Sequence, residues 1–448
     1  MTTTTMQRLA VSDNRRHLTY ADGSPFFWLA DTAWELFHRL NREEADLYLR
    51  NRAANGFNLI QAVALAELEG LSEGNAYGHV PLLNNEQQVY DPELPNLAPD
   101  GGYGYWEHVD YMVDLAAELG LYIGLLPTWG DKFNVAWGTG PDIFNPDNAR
   151  AYGRWIGERY GERPNIVWIM GGDRPLTEHR HFEIVRAMAE GVREGSGGRQ
   201  LMTFHPHGGA SSSLHVHHEA WLDFNMMQSS HGSRYKANYE MIAADYARTP
   251  VKPTLDGEPC YEDIAVGFKP EDGFFDAADV RKAAYWAVFA GACGHTYGHH
   301  SIWSMVVEPE GWFTMPWTRA LNRPGMSQMQ HLRRLIESRP MLDRVPDQEL
   351  VPEAGKGAAH LQATRGEDYA FIYSPCGLAF EVNLGRISGD TLQAAWYDPR
   401  TGETQTIGTM ANTGRARFTP PSTGQGEDWV LILDDAAAGY GGAGASTS

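Results

Sequence analysis

The chain has 448 residues, a formal charge of −21, 42% hydrophobic and 21% charged residues, a composition typical of a globular domain protein. That length exceeds a single small core but accommodates a (β/α)8 barrel, which needs about 250 residues, together with a smaller second domain. The acidic balance excludes nucleic acid and anionic membrane surfaces as partners, no apolar run reaches the ~18 residues of a membrane span, and three cysteines cannot build a disulfide framework.

The first residues, MTTTTMQRLAVSDNRR, lack the apolar core of a secretory signal, so a cytoplasmic location is expected. From residue 26 onward, short apolar runs alternate with amphipathic stretches. Candidate strands cover residues 26–30, 57–63, 122–128, 165–171, 201–206, 224–230, 252–258 and 294–300. Helices are predicted over 42–55, 106–119, 148–160, 179–194, 235–247 and 279–292. The first of these shows why: Glu43, Glu44 and Asp46 fill its opening turn and Gly56 follows its end. Strands alternating with helices imply a parallel sheet, and near-continuously apolar strands imply burial on both faces. Eight such units predict a closed (β/α)8 TIM barrel over residues 1–340. A doubly wound sheet would want a glycine-rich turn after its first strand, and Ala30-Asp31-Thr32-Ala33-Trp34 is not one. The polar connection from 64 to 105 is far longer than an ordinary βα loop, and such loops are usually lids or binding loops.

Past Pro340 the pattern becomes short alternating runs separated by turns such as PRTGE and STGQGED. This predicts a C-terminal antiparallel β-sandwich over 341–435. The Gly/Ala/Ser-rich segment 436–448 is expected to be disordered.

Barrel enzymes carry their chemistry at the C-terminal ends of the strands. There the sequence places Asp31, with Trp34 close by, then Trp129, Asp173, His205, His207, Gln228, His231, Asp256, Glu258, His299 and Trp303. A lone strand-end carboxylate is as often a helix cap or an ion-pair partner. Two of them, Asp173 on strand four and Glu258 on strand seven, can converge over the mouth, as a retaining glycoside hydrolase requires of its acid/base and its nucleophile. Each follows glycine, which lets a ligand approach the backbone closely. Asp256 lies on the same side as Glu258 by the period of two, one layer deeper, and is the alternative carboxylate. Asp31, His205, His231 and His299 are candidates to hydrogen-bond sugar hydroxyls, with Trp34, Trp129 and Trp303 offering ring faces.

His205-Pro206-His207 and His215-Val216-His217-His218 have ligand-like spacing. A metal-dependent hydrolase barrel generally puts H-x-H at the end of strand one, where this chain has Asp31-Thr32-Ala33. The expectation is therefore no metal and no cofactor, with His215–His218 read as surface residues. A metal-dependent hydrolase and a non-catalytic sugar-binding protein remain the rival readings. A lyase on acidic polysaccharide is disfavoured by the net charge and the lack of an Arg/Lys cluster. The oligomeric state is left open.

The stretches LADTAWELFHRLNREEADLYLRNRAANGFNLIQAV, NIVWIMGGDRP, TFHPHG and PTLDGEPCYE resemble the apiosidase-like glycoside hydrolases, over nearly the whole chain. The resemblance implies a (β/α)8 barrel followed by a small β-domain of a type labelled collagen-binding. It also implies a retaining mechanism with the Asp of GGD, here Asp173, as acid/base and the Glu of DGEP, here Glu258, as nucleophile. Family members release β-linked apiose, so the implied substrate is a plant glycoside or pectic side chain bearing a terminal furanose. A small imported glycoside is expected from the N-terminal sequence.

Overall fold

The computed structural model describes residues 6–443. Eight parallel strands form one curved sheet: β1 (Trp28–Thr32), β2 (Leu59–Val63), β3 (Tyr122–Leu126), β4 (Ile166–Gly171), β5 (Met202–His205), β6 (Asn225–Gln228), β7 (Thr254–Asp256) and β8 (Gly294–Tyr297). Their order is β5-β4-β3-β2-β1-β8-β7-β6, with a short antiparallel strand, Ala210–Ser211, added beside β6. The remaining seam, between β5 and β6, is stitched differently. Asp223 N–H donates to the Met202 carbonyl (2.8 Å), the Asp223 carboxylate accepts from Met202 N–H (2.8 Å), and the Thr203 hydroxyl donates to the Phe224 carbonyl (2.7 Å). A (β/α)8 barrel results.

Among the described residues, seven longer helices cover the sheet: α1 (Arg42–Ala54), α2 (Tyr105–Glu118), α3 (Pro146–Tyr160), α4 (His179–Ser196), α5 (Asn238–Tyr246), α6 (Ala277–Phe289) and α7 (Pro324–Glu337). Several begin where the chain supplies a side-chain acceptor for free helix N–H groups. Asn41 and Glu44 make a reciprocal capping box on α1, Asn145 with Pro146 at the first position opens α3, and Asp276 caps α6. The β5-to-β6 crossover has only a single 3-10 turn, Ser212–Leu214. There His217, expected on the surface, is buried with its Nδ1 3.3 Å from Asn225 Oδ1, because this crossover packs its own side chains where a helix would lie; His218 is exposed and His215 half-buried.

The barrel interior follows the strand period of two. Trp28 and Ala30 of β1 share an inner cluster with Leu59, Val63, Val167, Ile169, Met226 and Leu255. Gly124 makes room for this packing, since a Cβ there would come within 2.8 Å of Ile169. Residues 9–26, as three short antiparallel strands, contribute Leu9, Leu18 and Phe26 to the same cluster. The long connection after β2 contains a hairpin, Leu82–Asn84 against Tyr90–Pro95, anchored by Trp106 Nε1 donating to the Pro81 carbonyl (2.9 Å).

The C-terminal part is a six-stranded antiparallel sheet faced by a two-stranded ribbon, Phe380–Asn383 with Arg415–Phe418. Alternation along Tyr369–Ser374 assigns its two faces. Ala370 and Ile372 pack under the ribbon, while Tyr369, Phe371 and Tyr373 join Tyr285, Trp286 and Phe289 of α6 in one shared core. Tyr285 and Tyr373 stack at 4.9 Å, and the buried Arg281–Asp428 pair (2.6 Å) crosses the same junction. The tail expected to be disordered is held as far as Ala443: the Tyr440 hydroxyl donates to Asp368 (2.7 Å), and Thr404 donates to the Ala443 carbonyl (3.0 Å). The rest of that expectation, residues 444–448, lies outside the described residues. No described helix is long and apolar enough to cross a membrane.

Candidate active site

At the end of β4 the backbone turns through three consecutive left-handed residues, Gly171 (φ 91°), Gly172 (φ 116°) and Asp173 (φ 57°). The glycines are required twice over. A Cβ at 171 would stand 2.5 Å from the His205 carbonyl oxygen, and one at 172 would stand 2.8 Å from Gly130 N and 2.9 Å from the Trp129 ring. Aspartate is among the few residues that tolerate this region. The turn delivers Asp173 to the cleft wall.

The Asp173 carboxyl is used asymmetrically. Oδ2 accepts from Arg174 Nη1 (2.9 Å) and from Trp137 Nε1 (3.2 Å), whereas no described group hydrogen-bonds Oδ1. Burial, and then the negative charge of Glu258, raise its pKa above the usual aspartate value, with Arg174 opposing. Arg174 also pairs with Glu67, and the Trp137 ring lies 4.8 Å above its guanidinium.

Across the barrel, β7 ends at Asp256 and the chain turns at Gly257, so the period of two fails for the next residues. Asp256 faces away from the cleft. Its Oδ2 accepts from Ser229 Oγ (2.6 Å) and Asn238 Nδ2 (3.0 Å), which leaves it no role as an alternative carboxylate. Glu258 lines the cleft at 6% exposure. Its Oε1 lies 3.1 Å from His231 Nε2 and its Oε2 3.1 Å from His205 Nε2. Tyr261 N–H donates to His231 Nδ1 (3.3 Å), so the ring proton sits on Nε2 and is given to Glu258. Burial alone would raise the Glu258 pKa; the hydrogen bond from His231 and the close approach of the His205 ring outweigh it and hold the group ionised, below the usual glutamate range.

Around the two carboxylates is a cleft of about 480 Å³. Trp34, Trp129, His231 and Trp303 line it, Trp34 and Trp129 with ring centroids 5.0 Å apart. Three expected sugar contacts lie elsewhere. Asp31 faces outward from β1, opposite in parity to Trp28 and Ala30, and is fully buried against Arg52 and the Tyr48 hydroxyl (2.7 Å). His299 caps the short helix His300–Trp303 through Nδ1 and directs Nε2 to Asp263 (3.0 Å). His205 sits fully buried beneath Glu258, edge-on to Trp34 at 5.3 Å, and supports the carboxylate rather than the cleft surface. Sequence reasoning missed Glu67, Trp137, Tyr261, Phe268 and Trp312 in the lining. The long polar connection after β2 signalled Glu67 only as part of a binding loop. Trp137, Phe268 and Trp312 are exposed aromatics in irregular loops, where no periodicity marks a residue. Among the described residues, no three His, Cys, Asp or Glu side chains are grouped to hold a metal ion.

The profile of a family described as "Apiosidase-like, catalytic domain" matches residues 12–343, and one described as "Putative collagen-binding domain of a collagenase" matches residues 345–434. Among solved structures, a protein described as "Glycoside hydrolase" is 36% identical over 96% of this chain and 97% of its own, with a TM-score of 0.88. A glycoside hydrolase family 5 protein from Bacteroides vulgatus ATCC 8482 is 35% identical over 96% of this chain and 93% of its own, with a TM-score of 0.87. A second protein from that organism, 14% identical over 97% of this chain and 83% of its own at a TM-score of 0.70, shares the fold. A search of curated proteins finds no match.

Proposed function

The chain belongs to the apiosidase-like glycoside hydrolases, and we propose that it is a retaining enzyme of that family, with Glu258 as nucleophile and Asp173 as acid/base, releasing a terminal furanose such as β-linked apiose. The observation that carries this reading is the opposed electrostatics of two carboxyl groups in one cleft: Glu258 is held ionised by two histidines, while Asp173 is pushed toward its protonated form by burial and by Glu258 itself. Glu258 attacks the anomeric carbon as the Asp173 proton, carried on the free Oδ1, passes to the leaving oxygen. In the second step Asp173 takes a proton from water and the glycosyl–Glu258 bond is hydrolysed. Departure of the sugar from Glu258 restores the carboxylate to His231 and His205.

Substrate recognition falls to the polar atoms left open in the lining. The Tyr261 hydroxyl and Gln228 Oε1 are buried without a protein partner, and such groups cost about 1–3 kcal/mol unless a ligand satisfies them. They are the proposed partners of sugar hydroxyls, and Trp303 the surface for the apolar sugar face. The test is to incubate the protein with apiin and follow the anomeric proton signals. The β-anomer of apiose should appear first and then mutarotate. First appearance of the α-anomer overturns retention, and turnover confined to a different glycoside overturns the choice of sugar.

A further inference from the structure

Arg174 is an awkward neighbour for an acid. Its side chain is fully buried, and it donates to the very carboxyl that must hold a proton. A guanidinium with no other partner would favour the ionised aspartate. The second face of this guanidinium is taken by Glu67, from the long connection after β2. We propose that Glu67 is a positioning residue for Asp173, occupying Arg174 so that the cation orients the acid without drawing off its proton.

Charge balance in the pocket supports this. Facing Glu67 are Arg174 and Asp173 from the loop after β4, and Asp131 from the loop after β3. Asp131 is tied to Lys132 (2.8 Å) and to Gly140 N–H (2.9 Å). Asp173 also faces Glu258, His205 and the Trp137 indole. With Asp173 protonated, the anions Glu67 and Asp131 match the cations Arg174 and Lys132. Ionising Asp173 leaves a surplus negative charge in a site only partly open to water, which is unfavourable. Remove the Glu67 charge and one anion fewer opposes ionisation of Asp173, leaving Glu258 as the principal one.

The packing is built to hold the group together. Gly138 has no Cβ where one would stand 2.5 Å from the Arg174 guanidinium and 2.6 Å from Asp131. Thr139 donates to the Glu67 carbonyl (3.3 Å), tying the β2 and β3 loops. Burial pushes Glu67 itself up to about 7, Arg174 opposing. As pH rises through about 7 Glu67 gains its charge, so its support grows over the range where Asp173 would otherwise lose its proton.

This inference rests on the reading of Asp173 as acid/base, and two measurements separate the two ideas. Protein carrying aspartate labelled with carbon-13 at the side-chain carboxyl is titrated by NMR, with the Asp173 signal identified by its loss in Asp173→Asn. In Glu67→Gln the Asp173 midpoint should fall by about one pH unit, a tenfold loss of proton affinity; a midpoint unmoved or raised overturns the proposal. Kinetics on 4-nitrophenyl and 2,4-dinitrophenyl β-D-apiofuranoside then read the consequence. Glu67→Gln should move the alkaline limb of kcat/KM to lower pH and hurt the poorer leaving group more, with KM little changed and partial rescue by Glu67→Asp. Equal loss on both substrates with an unmoved limb marks a merely structural role and overturns it. If the NMR midpoint falls but Asp173→Asn still cleaves the 4-nitrophenyl substrate at full rate, the acid assignment fails while the coupling of Glu67 to Asp173 stands.

Discussion

The two carboxyl groups of the cleft sit on opposite walls and are prepared in opposite ways. Glu258 follows a regular strand and receives two imidazoles from the ends of β5 and β6, elements of the rigid barrel. Asp173 follows a strained left-handed turn, and its partners Arg174, Glu67 and Trp137 come from loops. Glu258 is the more deeply buried of the two, so burial alone would raise its pKa the more and cannot explain the contrast. The partners decide: donors without a compensating anion hold Glu258 ionised, whereas a cation already shared with another carboxylate, plus the charge of Glu258, leaves Asp173 able to keep a proton.

That contrast can be broken most severely at the proposed nucleophile. Glu258→Gln keeps size and hydrogen-bonding reach but cannot form the glycosyl bond, so turnover should fall by roughly 10⁴-fold or more on every substrate; residual hydrolysis near wild-type rates would remove Glu258 from the mechanism. Asp173→Asn should cost roughly 10²–10⁴-fold with poor leaving groups and little for the first step with 2,4-dinitrophenolate, as comparison of kcat/KM for the two aryl glycosides would reveal. His231→Phe strips one donor from Glu258 and raises its pKa. Because the reaction needs ionised Glu258, activity is lost as pH falls through that pKa, and the acidic limb of kcat/KM should move to higher pH by about one unit. The mildest change is Trp137→Phe, which keeps a ring over Arg174 but removes a hydrogen bond that lowers the Asp173 pKa. The alkaline limb should rise by about a few tenths of a pH unit, opposite in sign to the shift expected for Glu67→Gln.

Much of this architecture is legible in the residues. The apolar runs around Leu59–Val63 and Ile166–Gly171, each followed by an amphipathic stretch, specify buried parallel strands because only such strands are apolar on both faces. Gly171-Gly172-Asp173 and Gly257-Glu258 mark the two strand ends that deliver carboxyl groups to the cleft. Errors arose where a local rule was carried past the end of an element. Asp256 and Glu258 share a parity only if the strand continues, and it stops at Asp256. Asp31 stands at a strand end as anticipated, but its parity turns it outward to Arg52, a residue 21 positions later on α1.

From sequence alone came the barrel, the trailing β-domain and the pair of acidic residues, because periodicity and glycine placement are written in neighbouring residues. The Glu67–Arg174–Asp173 cluster, the two histidines on Glu258 and the aromatic rim were decided by the closed barrel. They join side chains from strand ends all around the barrel, and which ones meet depends on the curvature that brings those ends around a single mouth.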